Sequence, residues 1–156
     1  MNLVSLFSST KYNKRNDEYG GSDENRARFI LEIYTKIRQA IGDEMIISAK
    51  IDCVNEEHGY TENGFISIAK ELEKAGLDIM EVSGPNPHRS GNEPYFYEDT
   101  KKIADILKIP IICIGGIKKY EQADYVLKNS KIEYIAMSTE FLKQPDIIKK
   151  WYLNNK

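Results

Sequence analysis

Four short apolar runs, each followed by an amphipathic segment, most constrain what this chain can fold into. The runs occupy residues 45–51, 77–83, 109–114 and 132–137. Each is nearly continuous in apolar character, the pattern of strands covered on both faces, as in a parallel sheet. Helical stripes lie before and between them: Ile30, Ile33, Tyr34, Ile37 and Ile41, then Phe65, Ile68, Ala69 and Leu72. Two more follow, Ile103, Ile106 and Leu107, then Ala123, Val126 and Leu127. The order is helix, then strand–helix four times. Strand starts fall roughly 20–30 residues apart, the size of a βα unit.

Local punctuation agrees. Ser22 precedes Asp23 and Glu24, an N-cap followed by charges that suit the helix dipole. Gly42 and Gly76 each follow a helical stripe, where a left-handed residue is common. Pro145 suits the first turn of a last helix carrying Ile147, Ile148 and Trp151. The stretch 84–94 is rich in Gly, Pro, Asn and Ser and reads as a long loop.

Bulk properties exclude several classes. Net charge is −2 with no block of one sign, which gives no nucleic-acid or membrane surface. No apolar run approaches the ~20 residues of a membrane span, and residues 1–7 do not resemble a signal peptide. The two cysteines, Cys53 and Cys113, are far apart, which fits neither a zinc site nor a disulfide scaffold and suits a reducing cytoplasm.

Ligands of parallel α/β sheets bind beyond the carboxyl ends of the strands. The residues there are Lys50, Asp52 and Cys53, then Ser83, Gly84 and Pro85, then Gly115 and Gly116, then Ser138 and Thr139. The glycine pair has two readings. Its backbone amides approach a phosphate, helped by the following helix N-terminus, or it makes a tight turn. Lys50 also has two readings, since charged residues in buried strands are rare unless paired. It offers a cation to a ligand, or it pairs with Glu81 inside the sheet. His58 and His88 fall in polar loops and read as solvated. Cys113 reads as a buried small hydrophobe, and Tyr95, Phe96 and Tyr97 as loop-anchoring core.

The run NKRNDEYGGSDENRARF at 13–29 closely resembles the signature of Old Yellow Enzyme-type NADH:flavin oxidoreductases. The strand with Lys50, the Glu81–Gly84 strand end, Gly115–Gly116, and Phe141–Leu142 ahead of Pro145–Asp146 follow in that family's order. The resemblance covers essentially the whole chain. It implies the C-terminal half of a (β/α)8 TIM barrel: a loop to residue 22, then a helix and four βα units over 23–156. It further implies FMN as cofactor and NAD(P)H as reductant, with hydride passing through flavin to an enone-like acceptor. Lys50, Ser83, Gly84, Gly115, Gly116, Ser138 and Thr139 match positions around the flavin.

Departures from the family pattern accompany these matches. The acceptor-binding His pair falls before residue 1. The proton-donating Tyr aligns with Asn2, a phosphate-holding Arg with Thr139, and a frequent Gly with Ser138. Some relatives continue into a cysteine-rich iron–sulfur segment, whereas this sequence ends at Lys156. A complete barrel usually needs about 250 residues. The expectation is therefore a chain that pairs, as a homodimer or with a separate N-terminal half-barrel. Three functional readings follow: an oxidoreductase by descent, an inactive remnant with weak phosphate-ligand binding, and a half-barrel module for a phosphorylated metabolite.

Overall fold

Each apolar run forms a strand in one parallel sheet. The computed structural model describes residues 3–84 and 94–154. Its strands are β1 (Ser48–Asp52), β2 (Ile79–Ser83), β3 (Ile111–Ile114) and β4 (Tyr134–Ala136), in the spatial order β1-β2-β3-β4 with every pairing parallel. The helices are α1 (Leu3–Ser8), α2 (Asp23–Ile41), α3 (Glu62–Lys74), α4 (Tyr97–Ile106), α5 (Tyr120–Lys128), α6 (Thr139–Lys143) and α7 (Ile147–Asn154).

Register divides the sheet into two faces. Ile51, Val82, Cys113 and Ile135 form one cross-strand row, with Ile51, Val82 and Cys113 buried under the helices. Ala69, Leu72 and Ile103 complete this core. The neighbouring row, Lys50, Glu81, Ile112 and Tyr134, projects to the opposite face, and Tyr134 is 52% exposed. That face has little covering among the described residues.

β1 begins later than its apolar run because its entry is tied by polar groups. Asp78 accepts from the Ile47 amide at 2.7 Å, and Arg38 donates to the Met45 carbonyl at 2.8 Å. Met45 and Ile46 are left outside the strand and exposed. The Ser22 cap forms as the sequence predicts, its hydroxyl accepting from the Asn25 amide at 3.1 Å. Gly42 and Gly76 both take positive φ.

Two short helices depart from the sequence reading. α1 lies inside the segment expected to be loop, and α6 follows β4 directly. The first is fixed by tertiary contact, Phe7 stacking on Phe29 of α2 with centroids 4.2 Å apart. The stripe Ile33, Ile37 and Ile41 on α2 is exposed, while Tyr34 and Ala27 carry the buried face. His88 and Pro85, with most of the loop read over 84–94, lie outside the described residues.

The run at 13–29 performs local folding. The buried Asn13 donates to the carbonyls of Phe7 (2.7 Å) and Tyr19 (2.6 Å), while its own oxygen accepts from the Arg15 amide at 3.1 Å. Asn25 donates to Gly20 O at 2.8 Å and Arg28 to Glu18 O at 2.7 Å. A Cβ at Gly20 would sit 2.3 Å from Arg15 O, so only glycine fits there. These bonds close a loop that leads α1 into α2.

Among the described residues, both outer strands pair on one side only. Exposed apolar residues flank the open edges: Met45 and Ile46 before β1, and Tyr134 and Leu142 at and after β4. Unpaired edges of this kind invite strand addition unless closure into a barrel removes them.

Candidate functional site

A cavity of about 480 Å³ opens at the carboxyl ends of the strands. Lys50, Ser83, Gly84, Gly115, Gly116, Ser138 and Thr139 all line it. The parallel topology accounts for this convergence, since strands running one way present their carboxyl ends along one rim. Of the other strand-end residues, Asp52 and Cys53 do not line it. Cys53 is buried, 3% exposed, and faces the Gly84 position. His58 lies 3.3 Å from the Tyr12 hydroxyl, also outside this cavity.

Lys50 forms the pair with Glu81 and also lines the cavity. Its Nζ lies 2.7 Å from Glu81 Oε1, and its side chain is half exposed toward the cavity while Glu81 is largely covered. The carboxylate holds the ammonium at the rim.

The glycines answer to an aromatic ring. Phe96 fits between the mouths of β2 and β3. A Cβ at Gly84 would lie 2.8 Å from Phe96 Cε1, and one at Gly115 would lie 2.9 Å from Cε2. Gly115 and Gly116 also hold φ of +96° and +74°, a region that disfavours side chains. The turn is closed by the Tyr95 amide donating to Gly115 O at 3.0 Å. The amides of Lys118 and Lys119 donate to Gln122 Oε1 at 2.8 and 3.0 Å, so the entry to α5 is already capped. The tight-turn reading thus has direct structural support, and Gly116 stays at the cavity wall.

Tyr95 and Phe96, which the sequence marks as loop-anchoring core, give the cavity an aromatic wall, and Lys118, Glu140 and Lys143, which it does not mark, bring charge to its β3 and β4 side. Lys143 was legible only if α6 was known, because its distance from Thr139 is one helical turn. Phe96 enters across a loop, so no local pattern announces it.

Beside the rim, a smaller cavity of about 30 Å³ is lined by Ser5, Lys50, Asp52 and Tyr60 among others. Ser5 Oγ donates to Asp52 Oδ2 at 2.5 Å. Burial, reinforced by the Asp52 charge, pushes the Tyr60 phenol up to about 12. This cluster anchors α1 against the end of β1. In the core, burial pushes the Cys113 thiol up to about 11, and neither Cys113 nor Cys53 is in a disulfide.

Half of a (β/α)8 barrel, with a lysine-bearing cavity at its strand mouths, is the class of protein that this fold and site define. The chain belongs to the NADH:flavin oxidoreductase / NADH oxidase family, whose model matches residues 2–154. It is 32% identical to a bilirubin reductase of Mediterraneibacter gnavus over 95% of this chain and 25% of that protein. Similarity to an NADH oxidase of Thermoanaerobacter brockii is also 32%, over 95% of this chain and 24% of the other. An NADPH dehydrogenase of Bacillus cytotoxicus is 30% identical, over 92% and 42% of the two chains. The chain therefore spans about a quarter to two-fifths of these relatives. Among solved structures, an Old Yellow Enzyme homologue from Zymomonas mobilis superposes with a TM-score of 0.80 at 22% identity, over 99% of this chain and 44% of the other. A morphinone reductase variant in complex with tetrahydroNAD gives a TM-score of 0.78 at 26% identity, over 99% and 41%.

No helix among the described residues is long and apolar enough to cross a membrane, and no group of His, Cys, Asp or Glu there is arranged to hold a metal ion.

Proposed function

We propose that this chain supplies the FMN-holding half of an NAD(P)H-dependent oxidoreductase. The convergence of Lys50, Ser83, Gly84, Gly115, Gly116, Ser138 and Thr139 on one cavity carries the reading. The donor set fits the group. Lysines and hydroxyls suit a phosphate, and Tyr95, Phe96 and Ile114 suit a planar ring system. Lys50 would face the ring, with Gly115, Gly116, Ser138 and Thr139 toward the phosphate. FMN, when bound, supplies hydride acceptance from NAD(P)H and donation to an enone-like acceptor. Lys50 adds positive charge beside the ring, and Glu81 keeps that charge in place.

The chemistry is completed from outside these residues. No histidine lines the cavity among the described residues, and the inner face of the sheet has little cover there. In this reading the acceptor-binding and proton-donating groups come from a separate half that closes the barrel, because a second copy of the same residues brings neither the His pair nor the Tyr. The whole assembly works in a reducing cytoplasm, where both cysteines remain thiols. Residues 1–156 form one partial barrel domain.

The same lack of a lining imidazole favours a second reading, an inactive half-barrel that retains only weak phosphate-ligand binding. NADH oxidation by the full chain, with FMN and an enone acceptor added, decides between them. Acceptor-dependent turnover supports the oxidoreductase. Flavin binding without turnover, even after a complementary half-barrel is supplied, supports the remnant.

A further inference from the structure

The charge inside the cavity is unevenly distributed. Lys50, Lys118 and Lys143 line it, and the carboxylates of Glu81 and Glu140 pair with the first and last of them, so three cations meet two carboxylates. That excess of one favours an anionic ligand. Lys50 stands on β1 and is engaged by Glu81. Lys143 belongs to the far end of the sheet, three strand spacings away, or about 14 Å. A ligand touching both ends is extended, with its anion remote from Lys50.

Lys143 is placed to meet that anion. It lies one turn after Thr139 on α6, and helical side chains lean back toward the N-terminus. Its ammonium is thereby directed toward the rim that carries the Ser138 and Thr139 hydroxyls. The Nζ donates to Glu140 Oε1 at 3.0 Å, and the lysine side chain is 64% exposed. An exposed pair of this kind contributes little by itself. An ammonium has three donors, so it can keep Glu140 and still bind a phosphate oxygen.

We propose that Lys143 is the counter-cation for the phosphate monoester of the flavin nucleotide, and that Glu140 opposes it. The assignment rests on the flavin reading above and makes this site selective for FMN over riboflavin. Thr139 contributes a hydroxyl and no charge, so the selectivity passes to the residue one turn further on.

The test titrates the full chain with FMN and with riboflavin at low salt, following flavin fluorescence, for the wild type, Lys143→Ala, Lys143→Arg and Glu140→Gln. The wild type is expected to favour FMN. Lys143→Ala should cut FMN affinity about 3- to 30-fold, the range for loss of a partly exposed charge-assisted bond, with riboflavin affinity unchanged. Lys143→Arg should retain the preference, and Glu140→Gln should tighten FMN alone. Added salt should narrow the gap. Equal binding of the two flavins by the wild type, or an undiminished FMN preference in Lys143→Ala, overturns the Lys143 assignment and leaves the flavin site standing. Binding of neither flavin overturns both. A thermal melt of each variant shows that the fold is intact.

Discussion

Lys50 and Glu81 stand directly opposite one another on adjacent parallel strands, with Nζ 2.7 Å from Oε1. The pair is graded in burial, the carboxylate side chain being 20% exposed and the lysine 54%. Glu81 Oε1 is buried, so Lys50→Met leaves a desolvated carboxylate without its ion partner and should cost roughly 1–3 kcal/mol of stability. Flavin affinity should also fall, by ~10-fold, as a cation facing the ligand is lost. Parallel melts and flavin titrations check this. A large stability loss with unchanged flavin affinity would assign Lys50 to the sheet alone.

Phe96 makes Gly84 and Gly115 interdependent. Gly84→Ala places a methyl 2.8 Å from the ring and should cost roughly 1–3 kcal/mol by overpacking. Gly115→Ala adds the cost of its positive φ. Phe96→Leu in the Gly84→Ala background should recover part of the loss, because the clashing ring edge is removed. Gly115→Ala should recover less, because the backbone strain persists. Urea unfolding of the single and double variants measures both, and simple additivity would refute the coupling.

Asp78 ties three segments together, bonding the Ile47 amide ahead of β1 and the Arg38 guanidinium of α2. The amide bond, followed by the guanidinium, holds its carboxyl below the usual carboxylate value. A depressed folded value stabilises the fold above the unfolded value and loses that contribution as pH falls through the folded one. Asp78→Asn should thus melt lower than the wild type at neutral pH. The gap should close on acidification below about pH 4, where ordinary carboxylates protonate. Melting temperatures across that range test the sign, and a gap that widens in acid would reverse it.

Both thiols should be unreactive in the folded chain. Cys113 is fully buried with its thiol raised to about 11, so almost no thiolate exists near neutrality. Cys53 is also buried. Ellman's reagent should modify neither until denaturant is added. Rapid modification of the native protein would show that the rim or the core opens.

Open edges on β1 and β4 predict association, as a homodimer or with a complementary half-barrel. Light scattering at micromolar concentration should give a mass above one chain unless the complementary half is present. A cooperative melt at single-chain mass would contradict the pairing.

The strands were legible because their runs are largely apolar, Ile111–Ile114 wholly so, and Met80, Val82, Ile111 and Cys113 are buried in the core. The rim followed from topology once the strands were parallel. The six residues of α1 and five of α6 are too short for a helical period to be visible. With α6 unseen, Lys143 could not be placed beside Thr139. Phe96 entered the site by a contact across sequence that no periodicity records. The run at 13–29, the strongest sequence signal, proved to be a folding device built on Asn13 and Gly20.

Equilibrium dialysis of FMN against the full chain addresses the flavin site most directly. Retention saturating at one flavin per chain, with quenched fluorescence and weakened by Lys50→Met, is the predicted result. Flavin distributing equally on both sides of the membrane, at protein concentrations where the chain is folded, would contradict it.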